Sequence, residues 1–258
     1  MPYLDIRVVV FLLMAAAGFA EPTVPSEPPV HAAVAAEAEP DAASSVTAPA
    51  STTTADVAES ARSAFDAASW DLTAIGAVDR DVFSMALASA ERAVERGEAK
   101  ASTTLTVIDF SVPSTERRMF VYDLRSRALL FQEHVAHGRN SGANVPTSFS
   151  NEPESFKSSI GLYRTGEGYF GKHGYSLRLD GLEKGFNDRA RERAIVIHGA
   201  DYVNANTAKA QGRLGRSLGC PALRPEIAAR VIDTVKEGGL VFAYYPNRDW
   251  LSSSTYLN

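Results

Sequence analysis

Short runs in which hydrophobic and polar residues alternate occupy most of the chain beyond residue 101. Turn-forming residues separate the runs, and this texture predicts β-strands rather than helices. Strands are predicted at 104–111, 118–124, 128–138, 160–166, 194–199 and 239–246. The residues from Asp123 to Arg127 predict a turn that joins the second and third of these strands into a hairpin. The pattern therefore indicates a mainly β fold.

Two segments instead repeat their hydrophobic residues with the spacing of an α-helix. In 79–98, Asp79 is suited to cap the first turn and Gly97 stands at the end. In 225–239, a proline lies at the start and glycines follow the last turn. A weaker helical pattern covers 58–68. We expect these helices to pack on the outside of the strands.

The first 57 residues predict targeting and linker segments rather than a folded core. An apolar run at 8–17 follows Arg7 and ends in small residues, which is typical of a secretory signal over 1–20. The run is shorter than the roughly 20 residues that cross a bilayer, so a retained membrane anchor is the alternative. Residues 21–57 are rich in Ala, Pro, Ser and Thr and contain no aromatic residue, which predicts a disordered linker.

The rest of the chain is divided into a helical extension at 58–100, a main domain at 101–248 and a C-terminal tail at 249–258. With 45% hydrophobic and 22% charged residues, the chain has the composition of a globular protein. The net charge of −5 and the lack of a basic stripe argue against nucleic-acid binding. A single cysteine allows no internal disulfide, so the fold depends on its hydrophobic core.

That cysteine, Cys220, lies in a turn just before the helix predicted at 225–239, near the positive end of the helix dipole. His198 ends a predicted strand and precedes a glycine, where a side chain can face a cleft. An imidazole beside a thiol can take its proton and later deliver it to a leaving group. The two residues therefore predict a base and a nucleophile. The alternative is a buried cysteine that packs as a small hydrophobe.

Other histidines are also candidates for the base. His137 and His173 each precede a glycine, so spacing alone excludes neither, but His198 is preferred because it follows a continuous strand. The segment 171–181 is interpreted as a loop that shapes the cleft, and His134 as an ordinary sheet residue. No histidine pair has the spacing of a metal-binding helix, and no second cysteine exists, so no metal is expected.

The strand ending in His-Gly and the later Ser-x-Gly-Cys stretch resemble the catalytic signature of the L,D-transpeptidases of the YkuD type. The sequence is most similar to the murein L,D-transpeptidase catalytic domain family, with counterparts at 135–142, 171–183, 186–203 and 212–223. The resemblance covers roughly 104–246. It implies that 101–248 is a mainly β catalytic domain, a YkuD-like β-sandwich with peripheral helices.

The resemblance implies a role for each residue of the signature. Cys220 would be the nucleophile and His198 the general base, with the backbone carbonyl of Gly199 orienting the imidazole. The backbone N–H groups of Gly219 and Cys220 would form the oxyanion hole, and Ser217 would fix the turn.

Substrate contacts are expected from residues in the matching stretches. The candidates are Arg139, His173, Arg178, Arg213 and Arg216. Guanidinium groups suit the carboxylates of stem peptides, and a solvated surface is the alternative for each arginine. Leu218 stands where the family commonly has histidine, and Pro221 and Ala222 stand where a polar residue is common. A polar contact to the substrate is therefore missing or supplied elsewhere.

The implied activity is a cysteine-dependent transpeptidation of peptidoglycan stem peptides, with no cofactor. An L,D-carboxypeptidase that uses the same Cys-His pair is one alternative, and a wall-binding protein without turnover is another. The predicted signal indicates an exported protein of the periplasm or cell envelope, without stable membrane insertion.

Overall fold

The computed structural model describes residues 64–99 and 104–258 of the chain. The predicted signal and linker, together with residues 58–63 and 100–103, lie outside the described residues. Residues 64–68, the described part of the weaker helical pattern, form a turn and the start of a 3-10 helix at Ala67–Ser69. The helix predicted there is therefore wrong for these residues.

Within the described residues, eight strands form one sheet. The strands are β1 (Thr104–Asp109), β2 (Met119–Asp123), β3 (Ala128–Glu133), β4 (Gly161–Gly171), β5 (Gly174–Gly181), β6 (Val196–Gly199), β7 (Ala222–Leu223) and β8 (Leu240–Tyr244). Their order across the sheet is β3-β2-β1-β8-β4-β5-β6-β7. The pairs β1–β8 and β6–β7 are parallel, whereas the other neighbours are antiparallel. The predicted mainly β fold is confirmed.

Two hairpins show how the local sequence sets the strands. The predicted hairpin of β2 and β3 is confirmed, and Asp123 Oδ1 accepts hydrogen bonds from the N–H groups of Arg125 and Ser126 at its turn. Most of the segment 171–181 is strand β5 rather than the expected loop, because residues 174–181 pair with both β4 and β6, and only residues 172 and 173 form a turn. Leu177 and Leu179 alternate into the core. Because glycines surround this segment, its short alternation of hydrophobic and polar residues is hard to recognise in the sequence.

The two edges of the sheet come together near the candidate site. Beyond the end of β3, Ala136 forms a bridge with Ala222 of β7, and Gly138 forms a bridge with Ser217. The Ala136 N–H donates to Ala222 O at 2.9 Å. Because β3 and β7 are the outermost strands, these bridges close the sheet on itself. The closure brings the segment around 136–138 against the turn that contains Cys220.

Four α-helices in the described residues lie against the sheet. They are α1 (Arg80–Glu95), α2 (Ala205–Gln211), α3 (Pro225–Val235) and α4 (Arg248–Ser253). The predicted helices at 79–98 and 225–239 are confirmed as α1 and α3. Asp79 caps α1, since its side chain accepts from the N–H groups of Asp81 and Val82.

Alternate residues of the strands feed two separate hydrophobic clusters. On one face, Leu105 and Tyr122 pack with Phe83 of α1 and Trp250 of α4. On the other face, side chains of β2, β5 and β6 pack with α3, including Val121, Leu177, Ile197, Val231 and Ile232. Burial on both faces explains why β2 and β8 are apolar at nearly every position.

The C-terminal segment 249–258, expected as a tail, contains part of α4 and contributes to the first cluster. Trp250 is fully buried, and its indole N–H donates to Glu183 Oε2 at 2.7 Å. Tyr256 is also buried, and its carbonyl oxygen accepts from Arg92. The segment therefore joins the end of the chain to α1.

Candidate active site

The turn from Ser217 to Cys220 is held by its own hydrogen bonds and by a neighbouring segment. The Ser217 hydroxyl donates to Cys220 O at 2.6 Å and accepts from the Gly219 N–H at 3.0 Å. The Ser158 hydroxyl donates to Gly219 O at 2.9 Å and accepts from the Gly138 N–H at 3.0 Å. Both peptide groups beside Gly219 are thus tethered, so the turn has little freedom to rotate.

Glycine is required at position 219 for two reasons. Its φ of +129° lies in the region that side chains rarely adopt. A Cβ at this position would also stand 2.8 Å from Lys157 O and 3.0 Å from Ile195 Cδ1. Any larger residue would push the turn away from both neighbours.

The strand register places Cys220 two positions from His198 on neighbouring segments of the sheet. His198 pairs with Ala222 in the parallel β6–β7 ladder, so Cys220 precedes the partner of His198 by two residues. Val196 lies two residues before His198 on the same strand and face. Cys220 is accordingly level with Val196. The short β7 therefore sets the separation of the thiol and the imidazole.

The Cys220 thiol is partly buried against the start of β6. It donates weakly to Ala194 O at an S···O distance of 3.7 Å, and it makes no hydrogen bond with His198 within residues 104–258. Burial raises the pKa of the thiol above its ordinary value. The Val196 N–H, the Arg193 guanidinium and the Lys172 ammonium partly oppose that rise in pKa. At neutral pH the thiol is therefore mainly protonated.

His198 is buried and has a defined tautomer. Its Nδ1 lies 2.8 Å from Gly199 O, and because a carbonyl only accepts, Nδ1 carries the proton and Nε2 remains basic. Burial lowers the pKa of the imidazole, the Gly199 carbonyl opposes this, and the charge of His173 lowers the pKa further. The resting imidazole is neutral at pH 7, as a general base must be.

The other two candidate bases have different surroundings. His173, at the turn between β4 and β5, is exposed, and its ring stacks on that of His198 with the centroids 4.6 Å apart. His137 is fully buried, with Nδ1 2.8 Å from Arg118 Nη2 and Nε2 3.4 Å from Gly142 O. Burial and the charge of Arg118 lower the pKa of His137 to about 4. Both nitrogens of His137 are therefore committed to structural contacts.

Two of the arginines expected to contact substrate donate hydrogen bonds to backbone carbonyl oxygens. Arg216 Nη1 donates to Arg139 O and Gly142 O, at 3.0 Å and 2.8 Å. Arg213 Nη1 donates to Leu214 O at 2.9 Å.

The other two arginines lie over aromatic rings. Arg178 forms an ion pair with Glu167 at 2.7 Å and lies over Tyr169 on the β4–β5 hairpin. Arg139 is exposed, with its guanidinium carbon 4.2 Å from the centre of the Phe156 ring. Of these two arginines, Arg139 is the one that contacts the turn from Ser217 to Cys220, because its backbone N–H donates to Ser217 O.

The two backbone N–H groups expected to form the oxyanion hole differ in how they are held. The Gly219 N–H is engaged with Ser217 Oγ inside the turn. The hydrogen bond from the Ser158 hydroxyl to Gly219 O fixes the plane of the Gly219–Cys220 peptide. Because a peptide is planar, this bond also fixes the direction of the Cys220 N–H.

The residues that depart from the family signature lie at the tip of the turn and where the sheet closes on itself. Leu218 is 51% exposed at the tip of the turn. Ala222 is fully buried, because it pairs with His198 on one side and bridges to Ala136 on the other. A polar side chain at 222 would be buried in the seam of the closed sheet rather than in a cleft.

Sequence reasoning missed two residues that support this turn: Ser158, which bonds Gly219 O, and Arg193, which holds the adjoining loop. Ser158 lies in an irregular segment without a pattern, and Arg193 resembles the neighbouring exposed arginines at 189 and 191. Both become visible only through their contacts with residues distant in the chain.

A groove of about 350 Å³ opens beside His198. It is lined by His173, Tyr175, Gly199, Asp201, Pro225 and Ala228, among others. Within residues 64–99 and 104–258, no group of three or more His, Cys, Asp or Glu side chains is arranged to hold a metal ion. In the same part of the chain, no helix is both long enough and apolar enough to cross a membrane.

A family model of the L,D-transpeptidase catalytic domain matches residues 75–244. The chain belongs to this family. The match begins within the predicted helical extension and ends with β8, so it includes α1 and the whole sheet. The resemblance inferred from the sequence motifs is confirmed, as is the prediction of an L,D-transpeptidase at the level of the family.

Solved structures of L,D-transpeptidases are also similar to this chain. One from Mycobacterium smegmatis is 15% identical with a TM-score of 0.36, and the match covers 55% of this chain and 59% of that one. One from Mycobacterium tuberculosis is 16% identical with a TM-score of 0.34, covering 55% and 58%. One from Stackebrandtia nassauensis is 9% identical with a TM-score of 0.35, covering 68% and 75%. No curated protein sequence matches the chain.

This chain spans about three fifths of the Mycobacterium smegmatis protein that it matches.

Proposed function

We propose that this protein is a peptidoglycan L,D-transpeptidase that works through a thioester on Cys220. The observation that carries the proposal is the His198 imidazole, held as the Nδ1–H tautomer by Gly199 O, at the strand position beside the Cys220 turn. A neutral base with a free Nε2, two strand positions from a protonated thiol, supplies the two groups that nucleophilic catalysis by cysteine needs.

In the first half-reaction, the thiol moves from Ala194 O toward His198 Nε2, which takes its proton. The sulfur then forms a bond with the carbonyl carbon of the third residue of a tetrapeptide stem. The C–N bond to the terminal D-alanine breaks, and the imidazolium delivers the proton to the leaving amine. The Cys220 N–H donates to the oxyanion, since Ser158 and Ser217 hold the peptide groups on either side.

In the second half-reaction, the amine of a neighbouring stem attacks the thioester. His198 takes a proton from that amine and returns it to the departing sulfur as the new amide bond forms. The energy of the broken peptide bond is kept in the thioester, so no nucleotide or other cofactor is needed. Water in place of the amine would give an L,D-carboxypeptidase with the same residues.

The surroundings of the pair support a peptide substrate with carboxylates. Arg139 and Lys172 are exposed near the turn, and the groove beside His198 adds an open surface lined by Tyr175 and Asp201. We expect Arg139 and Lys172 to attract the carboxylates of stem peptides. We also propose that the protein is exported to the cell envelope, on the basis of the signal-like segment at 1–20.

The test is the intact mass of the full-length chain after reaction with a carbapenem, followed by analysis of muropeptides. We expect one covalent adduct on the wild type, none on Cys220→Ala, and slow acylation of His198→Ala. His134→Ala is a matched control, since His134 bonds Thr115 O and lies outside the turn. Cross-linked muropeptides would support transpeptidation, whereas trimmed stems alone would support carboxypeptidation. Absence of an adduct on a folded wild-type protein would contradict the proposal.

A further inference from the structure

Arg193 joins the segment before β6 to the loop at 150–159. Its Nη1 donates to Ser150 O at 2.7 Å and also to Ser159 Oγ. Its Nη2 donates to Lys157 O at 2.7 Å and to Ser155 Oγ at 3.2 Å. One guanidinium thus holds both ends of an irregular loop. A lysine ammonium would hold the loop less well, because it lacks the fixed directions of the guanidinium N–H groups.

This loop has a conformation that needs such an anchor. Glu154 and Phe156 have φ values of +54°, in the left-handed region that is unfavourable for residues with a side chain. Within the loop, the Ser150 N–H donates to Ser158 O. From outside it, Asn140 donates to Ser155 O, and Arg189 contacts Asn151 and Glu152. Arg193 adds four hydrogen bonds and is the residue that holds both ends of the loop.

The loop reaches the nucleophile turn through two contacts. Ser158 donates to Gly219 O, and Lys157 O lies where a Cβ on Gly219 would be 2.8 Å away. Arg193 Nη2 itself lies only 3.4 Å from that Cβ position. The guanidinium, the loop and the Gly219–Cys220 peptide therefore form one packed unit.

The charge of Arg193 also faces the sulfur. The charged or titratable groups around Cys220 are Arg193 before β6, His198 at the end of β6, Lys172 on the β4–β5 turn and Tyr202 after β6. Lys172 is exposed and therefore screened by solvent, whereas Arg193 is partly buried and fixed by its hydrogen bonds. Of the two cations, Arg193 is the one held in place.

We propose that Arg193 is a positioning residue for Cys220: it anchors the loop at 150–159, whose Ser158 orients the Gly219–Cys220 peptide, and it places a fixed positive charge beside the thiolate. Its role in turnover rests on the proposed function. Its effect on the sulfur does not, because thiol reactivity needs no substrate.

The experiment compares Arg193→Gln and Arg193→Lys with the wild type in the full-length chain. The first readout is the rate of alkylation of Cys220 by iodoacetamide between pH 6 and 10. The second is amide hydrogen exchange of residues 150–159, and the third is kcat/KM for cross-linking. Arg191→Gln is the matched control, because it removes one positive charge from the same segment but contacts Asp180 and Glu167 rather than the loop.

We expect Arg193→Gln to shift the alkylation profile to higher pH, with a rate about threefold to tenfold lower at pH 7, since thiolate content falls tenfold per unit of pKa. Exchange in 150–159 should accelerate. Arg193→Lys should restore most of the alkylation rate but not the slow exchange, because it keeps the charge and loses the planar fork. Arg191→Gln should behave as the wild type in all three readouts.

An Arg193→Gln protein with the alkylation profile and loop exchange of the wild type would overturn the inference. If that variant does not fold, Arg193→Lys and Ser158→Ala decide in its place. Ser158→Ala should lower kcat/KM without moving the alkylation profile, and wild-type turnover and loop exchange in both variants would overturn the inference. Absence of cross-linking by the wild type would contradict the proposed function alone, since the alkylation and exchange readouts would still decide the role of Arg193.

Discussion

The rings of His173 and His198 stack with their centroids 4.6 Å apart and an angle of 27° between their planes. His173 lies on the turn between β4 and β5, while His198 ends β6, so the stack joins a hairpin tip to the candidate base. Because His198 is buried and His173 exposed, the outer ring covers the inner one. The hairpin thereby controls both the hydration and the charge around His198.

The stacking of His173 on His198 predicts that two substitutions of His173 raise the pKa of His198 by different amounts. His173→Phe keeps the cover but removes the charge, so the pKa of His198 should rise slightly. His173→Ala removes cover and charge, and the pKa should rise further, because burial is the larger cause of its depression. NMR titration of the His198 ring measures both shifts. The acid limb of kcat/KM should move to higher pH in the same order, and a fall in pKa in His173→Ala would contradict the interpretation.

His137 predicts a loss of stability in acid. Its pKa is about 4 in the folded protein, below the ordinary value near 6.5, so folding favours the neutral ring. Its contribution is complete above pH 6.5 and is lost as the pH falls from 6.5 to 4, by up to about 3 kcal/mol. Urea denaturation between pH 4 and 7.5 measures this change. His137→Gln should show a flatter dependence on pH, although His198 still contributes in the same direction, and an unchanged dependence would contradict this role.

Ser217 predicts a coupling between stability and activity. In Ser217→Ala, Cys220 O loses its donor and the Gly219 N–H loses its acceptor. The free energy of unfolding should fall by about 1–3 kcal/mol, and kcat/KM should fall because the turn is less restrained. Urea denaturation and cross-linking assays test both. Ser252→Ala, on the exposed face of α4, is a control that should change stability by less than about 0.5 kcal/mol. Equal stability of the two variants would contradict the tethering of the turn.

Trp250 predicts that the C-terminal segment is part of the folded core. Trp250→Ala leaves a cavity and removes the donor to Glu183, so the free energy of unfolding should fall by about 3–5 kcal/mol. Trp250→Phe keeps most of the packing and should cost less. Chemical denaturation of the full-length variants measures both changes. A loss below about 1 kcal/mol in Trp250→Ala would show that the segment is dispensable.

Local patterns in the sequence were sufficient to predict those elements whose own residues determine their conformation. The helices α1 and α3, the β2–β3 hairpin and the strand ending at His198 follow from hydrophobic spacing and from residues such as Asp79 and Asp123. The strand β5 was not recognised, because glycines surround a short alternation and its burial comes from pairing on both edges. The tail at 249–258 gave no sign that Trp250 would pack against α1 and Glu183.

The sequence alone thus determined the mainly β fold, the family and the identity of the Cys-His pair as candidates, since each depends on residue types and spacing over a few positions. Only the tertiary structure decided which groups surround that pair. The ring of His173 on His198, the bond between His137 and Arg118, the bond from Ser158 to the Ser217–Cys220 turn, and the bonds from Arg193 to the loop at 150–159 all join residues far apart in the chain. The contacts around the Ser217–Cys220 turn arise where the sheet closes between Ala136 and Ala222. Closure depends on the packing of the whole core, which no local pattern encodes.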